Sequence, residues 1–386
     1  MPPLENINAP MPNERLKIII SDCHLSAGRY FEGHINPHED FYFDDEMADF
    51  FDYFSTGEFG TRSDGTPVEM ELIINGDFFD YLNVPYQGEF ETSITEAISL
   101  FKTEAIIKGH PTVMQAIRRF AARPGKKVTY LVGNHDADLL FPKVRERITR
   151  EWDPNGRFPS KSVKVIADVD RITYPEGVEI HHGNQFEAIH VLNFKQPLLT
   201  DYLDEPILNL PWGSFYVLKI INRFRWERDY IDKIRPIKVF ILFGIVLDPW
   251  FTIRFAFLSM MYFVFTRFVY SPTRRSRLSV TAEIVKQEMN LFKDLDRPAR
   301  RLLDQDQKLK TVIFGHTHYP MNKIYADGRQ YINTGTWTKM LNLDWKGLGQ
   351  KIRLTFALVR LREDGTAYCD LHQWVGEHKP HRVFNA

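Results

Sequence analysis

Five short clusters place Asp, Asn and His side chains in combinations able to act together. They are Asp22 with His24, Asp77 with Asp80, Asn134 with His135 and Asp136, His182 beside His181, and His316 with His318. Carboxylate and imidazole are ligands that borderline divalent metals accept, and one carboxylate can bridge two ions. Seven side chains drawn from such clusters are enough for a pair of ions. With one of them shared, two metals are held and coordination positions remain open for water and substrate. Two ions roughly 3.5–4 Å apart clamp the attacking and leaving oxygens of a phosphoryl displacement. They also acidify a shared water into a hydroxide nucleophile near neutral pH. A lone Asp at a strand end is usually a turn or capping residue; the joint recurrence of the clusters is what points to metal chemistry.

Each cluster sits directly behind a short apolar run. Lys17 to Ile20 leads into Asp22, Leu72 to Ile74 into Asp77, Val128 to Val132 into Asn134, Val178 to Ile180 into His182, and Val312 to Phe314 into His316. Such runs, bounded by Gly and polar residues, read as buried strands. The stretches Ile94–Lys108 and Thr112–Ala122 read as helices, which gives a layered α/β domain. All five clusters then lie at C-terminal strand ends, where open α/β sheets place ligands. Glycines before Asp77, Asn134 and His316 permit tight strand-to-loop turns. Tyr331 to Trp337 follows the last cluster and either shapes the pocket or serves as strand and turn. Beyond it the strands alternate, with Asp364-Gly365 as a hairpin turn.

The chain has 386 residues, 44% of them hydrophobic, and a formal net charge of −1. That balance gives no reason to expect a specific nucleic-acid partner. Two cysteines, Cys23 and Cys369, are too few for a disulfide framework and fit a reducing compartment. The first residues have prolines and mixed charges where a signal peptide needs a basic start and an apolar stretch, so cytoplasmic retention is expected.

One region stands apart. Between Pro211 and Val280 there are twelve Lys and Arg against four Asp and Glu, and Val239 to Thr266 is almost wholly apolar. A membrane-spanning helix needs about 20 uninterrupted apolar residues. Asp248 and Arg254 break this run, each at a cost of roughly 2.5–3.5 kcal/mol at a helix centre. Asp248-Pro249 also has the chemistry of a new helix start. Two helices joined near Asp248 are therefore expected, the second from about Pro249 to Tyr270, stopping before Ser271-Pro272. Arg223, Arg225, Arg228, Lys233, Arg235 and Lys238 flank them on one side, and Arg267, Arg274, Arg275 and Arg277 on the other. Basic residues beside an apolar helix suit an anionic membrane surface, at roughly 1 kcal/mol each. Trp250, Phe251, Phe255, Phe257, Arg223 and Arg225 are the candidate lipid or membrane contacts. A buried hairpin with a solvated basic rim is the alternative. Residues 1–200 and 279–386 then form the two parts of a core interrupted by an insertion over 201–278.

The order D-x-H, G-D-x-x-D, G-N-H-D, H-G and G-H-x-H resembles the calcineurin-like metallophosphoesterases. Here it reads Asp22-Cys-His24, Gly76-Asp77-Phe-Phe-Asp80, Gly133-Asn134-His135-Asp136, His182-Gly183 and Gly315-His316-Thr-His318. The resemblance implies a β-sandwich flanked by helices, with the apolar insertion as a helical lid. It implies one metal on Asp22, His24, Asp77 and His318 and another on Asp77, Asn134, His182 and His316, Asp77 bridging. The ions would be manganese, with iron or zinc as alternatives. His135 would stabilise the transition state or protonate the leaving oxygen, with Asp136 orienting it. Adjacent strand residues face opposite ways, so one of His181 and His182 reaches the metals, and the motif selects His182. Asp80 is either a supporting carboxylate or a turn residue, and Cys23 packs on the far side of its strand.

An apolar insertion between the fourth and fifth motifs makes the chain similar to the UDP-2,3-diacylglucosamine pyrophosphatases of lipid A synthesis, peripheral membrane enzymes whose insertion cradles acyl chains. Ser21-Asp22-Cys-His24-Leu25 and Gly76-Asp77-Phe-Phe79 carry that likeness, with His182-Gly183 and Gly315 to His318. The chain departs from that branch at His135, where Arg is frequent, and at Asn184, where Asp is. The expected activity is hydrolysis of a phosphoester or pyrophosphate bond in a lipid-linked substrate, at the inner face of the membrane. A soluble nucleotide, phosphoprotein or nucleic-acid end as substrate, or a metal-binding scaffold docked on a membrane, are the competing expectations.

Overall fold

The computed structural model describes residues 10–11, 13–153, 160–231, 233–235, 237–269, 295–342, 349–376 and 381–383. The apolar run ahead of each cluster is a strand, and the strands fall into two main sheets. One has seven strands in the order His381–Val383, Ala367–Trp374, Thr355–Leu361, Arg15–Ile20, Met70–Asn75, Lys126–Leu131, Val163–Ile166. The other has five, in the order Met321–Ile324, Gln330–Asn333, Thr311–Phe314, Val178–His181, Arg171–Tyr174.

The pleat decides what each residue buries. Ile19 and Ile73 point from the first sheet into a slab shared with Ile180, Ile313 and Ile332 of the second. Ile18, Ile20, Leu72 and Ile74 point the other way, into a core that includes Phe50, Phe51, Ile117 and Phe120 from the helices Asp44–Tyr53 and Pro111–Ala122. Full burial of each such side chain stabilises by about 1.5–3 kcal/mol. The result is a mixed α/β sandwich with flanking helices, the architecture the resemblance implies. The strands that carry clusters run parallel within each sheet, with Ile20 beside Ile74, Asn75 beside Leu131 and Ile180 beside Ile313. Their C-terminal ends are therefore level, and five loops emerge together.

The two expected helices are Glu96–Gly109 and Pro111–Ala122. The first starts two residues late because Thr95 caps it, its hydroxyl accepting from the Ile98 amide. Asp364-Gly365 makes the expected hairpin turn between Thr355–Leu361 and Ala367–Trp374, with Asp364 accepting from the Thr366 amide at 2.8 Å. Cys23 and Cys369 are both buried and unbridged.

The apolar insertion forms helices Ile237–Leu247 and Pro249–Val269, broken at Asp248 as expected. Among the described residues no helix is long and apolar enough to cross a membrane. Tyr270, the stop at Ser271-Pro272, Arg274, Arg275 and Arg277 lie outside the described residues, as do the side chains of Arg235, Lys238 and Arg267. Two of the expected contacts need correcting. Phe251 and Phe255 do not face outward: their rings lie 5.5 and 5.2 Å from that of Phe224, inside a small core of the insertion. Positions 251, 255, 258 and 262 form one helical stripe, and that stripe is turned inward. Arg225 is not a surface cation either. It is fully buried and its guanidinium engages both oxygens of Asp40, since a buried charge requires a paired one. Arg223, by contrast, is exposed, as are Trp250 and Phe257 along with Leu242, Val246, Leu247 and Ile253. The insertion is seated on the core by Asn222, which donates to the Leu82 carbonyl at 2.7 Å, and by Lys233, 2.5 Å from Asp40.

The loop before Asp40 is organised by Glu39, whose carboxylate accepts from the Gly28 and Phe41 amides at 2.7 and 2.9 Å. His110 closes this arrangement, with Nε2 3.2 Å from Glu39 and Nδ1 2.8 Å from Asp44. Burial disfavours the charge on its imidazole, but the Glu39 and Asp44 carboxylates outweigh burial and raise its pKa from 6.5 to about 9. A raised folded-state pKa contributes stability that is complete below the unfolded value and lost as pH climbs through the folded one. Denaturant titrations should therefore show wild type losing on the order of 2–3 kcal/mol between pH 6.5 and pH 9.5 relative to His110→Gln. Parallel pH curves for the two proteins would contradict the assignment.

Candidate metal centre

The five loops bring all seven expected ligands to one place, and the local backbone shows what that requires. Asp22, His24, Asp77, His316 and His318 all have left-handed backbones, with φ between 51° and 67°. L-residues adopt that conformation at a cost of roughly 1–2 kcal/mol each, and such outliers gather where the fold holds a side chain for a purpose. The neighbouring glycines make room. A methyl group on Gly133 would lie 2.6 Å from the Asp77 amide nitrogen, and one on Gly315 would lie 2.5 Å from the Asp22 carboxylate.

The loops lock onto one another. The Asp22 amide donates to the Gly76 carbonyl at 3.1 Å, and the His24 amide to the Asp77 carbonyl at 3.0 Å. The His316 amide donates to both Asp22 oxygens, at 3.0 and 2.9 Å, and the His135 amide to Asp77 Oδ1 at 2.8 Å. The segment after the last motif braces the Asp22 loop: the Thr336 hydroxyl and the Trp337 amide both donate to the Asp22 carbonyl.

Two sets of ligand atoms result, each within 4.8 Å among its members: Asp22, His24 and His318 in one, and Asp77, His182 and His316 in the other. His24 Nε2 lies 3.0 Å from His318 Nε2, which is 3.4 Å from Asp22 Oδ1. His182 Nε2 lies 3.0 Å from Asp77 Oδ2. Asn134 Oδ1 is buried with no hydrogen-bond partner, and the buried His182 Nε2 faces the Asp77 carboxylate outside hydrogen-bond geometry. A buried polar atom left unpaired costs roughly 1–3 kcal/mol, and coordination to a cation would satisfy both. The donor set of carboxylate, amide oxygen and imidazole fits two borderline divalent ions.

Charges among the side chains of the pocket are balanced internally. Burial alone would raise the carboxyl of Asp77, but the imidazoles of His182 and His135 hold it well below the usual carboxylate range. Burial works likewise against Asp22, and His318 overcomes it. Burial opposes charge on His182, but Asp77 outweighs that and raises it to about 9. Metal uptake must then displace protons from the ligands, so affinity falls as pH drops.

His135 faces the same cavity, and here the structure corrects an expectation. Asp136 does not orient it. The Asp136 carboxylate turns under the loop and accepts from the Gly133 amide and the Tyr130 hydroxyl, both at 2.5 Å, and from the Phe78 amide at 3.2 Å. The chain neighbour of His135 is spent on closing the turn. The orienting carboxylate is Asp80, whose Oδ1 is 3.0 Å from His135 Nδ1 and whose Oδ2 is 2.9 Å from His24 Nδ1. Burial works against a charged His135, yet Asp80 and Asp77 raise it to about 10. His181, as expected, turns away, to Glu179 at 2.7 Å and Gln185 at 2.6 Å. Trp250, Phe257 and Arg223 are not among the residues that line the cavity.

That cavity measures about 180 Å³ and is lined by His24, Asp77, Asn134, His135, His316 and His318 among others. The insertion supplies part of its wall through Val217, Ile221 and Lys233. Val217 and Ile221 bound a π-helical turn, Val217–Ile221, a deviation common beside functional sites. Asp40, Glu187 and His190 also line the cavity, which no motif of the sequence indicates, and so does Lys233, expected on the basic flank of the apolar run. A broader depression of about 560 Å³ at Asp296, Arg300 and Tyr325 shares no residue with the ligand set.

No protein-family model and no curated protein matches the chain. Among solved structures it is similar to a dimetal phosphatase from Danio rerio, at 12% identity over 96% of this chain and 99% of that one, with a TM-score of 0.38. It is also similar to vacuolar protein sorting 29 from Cryptosporidium parvum, at 12% identity over 96% of each chain, with a TM-score of 0.32. Likenesses so distant carry no argument, and the reading of the site rests on its own residues.

Proposed function

We propose that this chain is a two-metal phosphohydrolase that cleaves a phosphoester or pyrophosphate bond in a lipid-linked substrate of the UDP-2,3-diacylglucosamine kind. The observation that carries the reading is that five ligand side chains line one cavity, with Asp22 and His182 grouped behind them, and that five of the seven stand on left-handed backbone. Two divalent ions, manganese foremost, would supply Lewis-acid charge to the phosphoryl oxygens and to the attacking water.

The chain's own residues do the rest. Asp80 accepts the Nδ1 proton of His135 and fixes its ring, which leaves Nε2 to donate to the leaving-group oxygen. Lys233 is the one Lys or Arg among the described lining residues, and its ammonium meets further negative charge on the substrate. A cavity of about 180 Å³ is smaller than the roughly 300–1,000 Å³ that whole ligands occupy. It accommodates the phosphoryl group, while the remainder of the substrate extends outward past Val217 and Ile221 along the insertion. The exposed apolar ridge of Leu242, Val246, Leu247, Trp250, Ile253 and Phe257 suits an anionic membrane surface on the cytoplasmic side, from which such a substrate would be drawn.

The test is turnover by the manganese-loaded protein of a nucleotide-linked sugar carrying acyl chains of increasing length, with bis(p-nitrophenyl) phosphate as a generic diester. kcat/KM should rise by on the order of tenfold or more from acetyl to tetradecanoyl chains, as remote apolar contact is used for positioning. Binding to vesicles containing anionic lipid should fall about tenfold in a Trp250→Glu, Phe257→Glu double variant. Turnover indifferent to chain length would reassign the substrate to a soluble phosphoester. Failure on every substrate would favour a metal-binding scaffold.

A further inference from the structure

The loop behind His182 carries Glu187 and His190, neither of which belongs to the ligand set above. Glu187 Oε2 lies 3.0 Å from His316 Nε2 and 3.8 Å from His190 Nε2. The His190 ring stands edge-on to that of His316, with centroids 5.1 Å apart. A metal-binding imidazole uses one nitrogen for the ion and donates the proton of the other to an acceptor, which fixes its tautomer and ring plane. Two ligand imidazoles of this site already show such an acceptor at Nδ1: Asp80 for His24 at 2.9 Å and the Asn75 carbonyl for His182 at 2.8 Å.

Resting on the two-metal reading, we propose that Glu187 is the corresponding positioning residue for His316. Its carboxylate takes the Nε2 proton of His316, leaves Nδ1 as the ligand nitrogen, and so sets the affinity of the ion held by Asp77, Asn134, His182 and His316. The Glu187 loop is held at both ends. Phe186 stacks on Phe314, with centroids 5.0 Å apart, and the Asn184 side chain donates to the His190 carbonyl at 2.9 Å. The insertion then presses on it: the Gly213 amide donates to the Ile189 carbonyl at 2.8 Å, and a methyl group on Gly213 would lie 2.6 Å from the His190 ring. The affinity of that ion is thereby tied to the seating of the insertion, although no insertion residue is in the ligand set.

The experiment is titration of the full-length, metal-free protein with Mn2+, followed by calorimetry and by competition with a chelator. Wild type should take up two ions. Glu187→Gln should weaken one of them 10–100-fold, the effect typical of a lost supporting partner, and hold the other within threefold. Glu187→Asp should recover part of the loss and covers the case in which Glu187→Gln misfolds. Gly213→Ala should weaken the same ion several-fold by displacing His190. Wild-type affinity for both ions in Glu187→Gln would overturn the proposal and leave the two-metal reading standing. Uptake of a single ion by wild type would sink the two-metal reading itself, and the proposal with it.

Discussion

Asp77→Asn should fold, lose activity toward bis(p-nitrophenyl) phosphate by on the order of 10⁴-fold, and bind fewer than two manganese ions. Asn is the informative replacement, because its short polar side chain tolerates the left-handed backbone that Asp77 adopts, with φ at 51°. Its amide oxygen can still accept from the His135 amide, as Asp77 Oδ1 does at 2.8 Å. What the variant removes is the carboxylate charge that the proposed function shares between the two ions. Metal content by mass spectrometry, circular dichroism and turnover on one preparation decide the matter. Two ions and more than a tenth of the wild-type rate in a folded Asp77→Asn protein would dismantle the bridging role.

The second large effect separates two carboxylates, one adjacent to His135 in the chain and one 55 residues before it. Asp80→Asn should lower kcat by about 10²–10³-fold, within the range typical of general acid–base contributions, with part of the loss arising through His24. Its side chain touches both imidazoles, at 3.0 and 2.9 Å. Asp136→Asn should act chiefly on stability, since Asp136 closes the Gly133 turn and meets the Tyr130 hydroxyl. Both Asp136 oxygens accept from donors, so the amide nitrogen of Asn would face one of them and weaken the turn. A pH–rate profile on each variant provides the control. The limb assigned to His135 should move in Asp80→Asn and stay in Asp136→Asn. The reverse pattern would restore the chain neighbour as the orienting group.

Much of this site was legible because strand ends are local events. A run such as Leu72 to Ile74, followed by Gly and Asp, specifies both a buried strand and the residue that leaves it. Ligand chemistry then needs only residue types. Support between loops is not local. Asp80 and Asp136 each end a motif, and the direction each carboxylate takes depends on the turn it closes. Glu187 comes to the cavity through the fold of the loop behind His182 and Lys233 through the packing of the insertion, and neither placement is written in a motif. The orientation of the apolar hairpin was readable in principle: Phe251, Phe255, Leu258 and Tyr262 recur at helical intervals, and that stripe faces Phe224. Counting apolar residues without their period led to Phe251 and Phe255 being placed on the wrong side.

The left-handed loops have a consequence for the stability of such a chain. Glycine at position 22, 24, 77, 316 or 318 would relax the backbone while removing a ligand. At 22 and 77 the gain is offset, because the His316 and His135 amides would lose their carboxylate acceptors; at 318 the relaxed backbone should show through. His318→Gly should accordingly unfold at a higher denaturant concentration than His318→Ala.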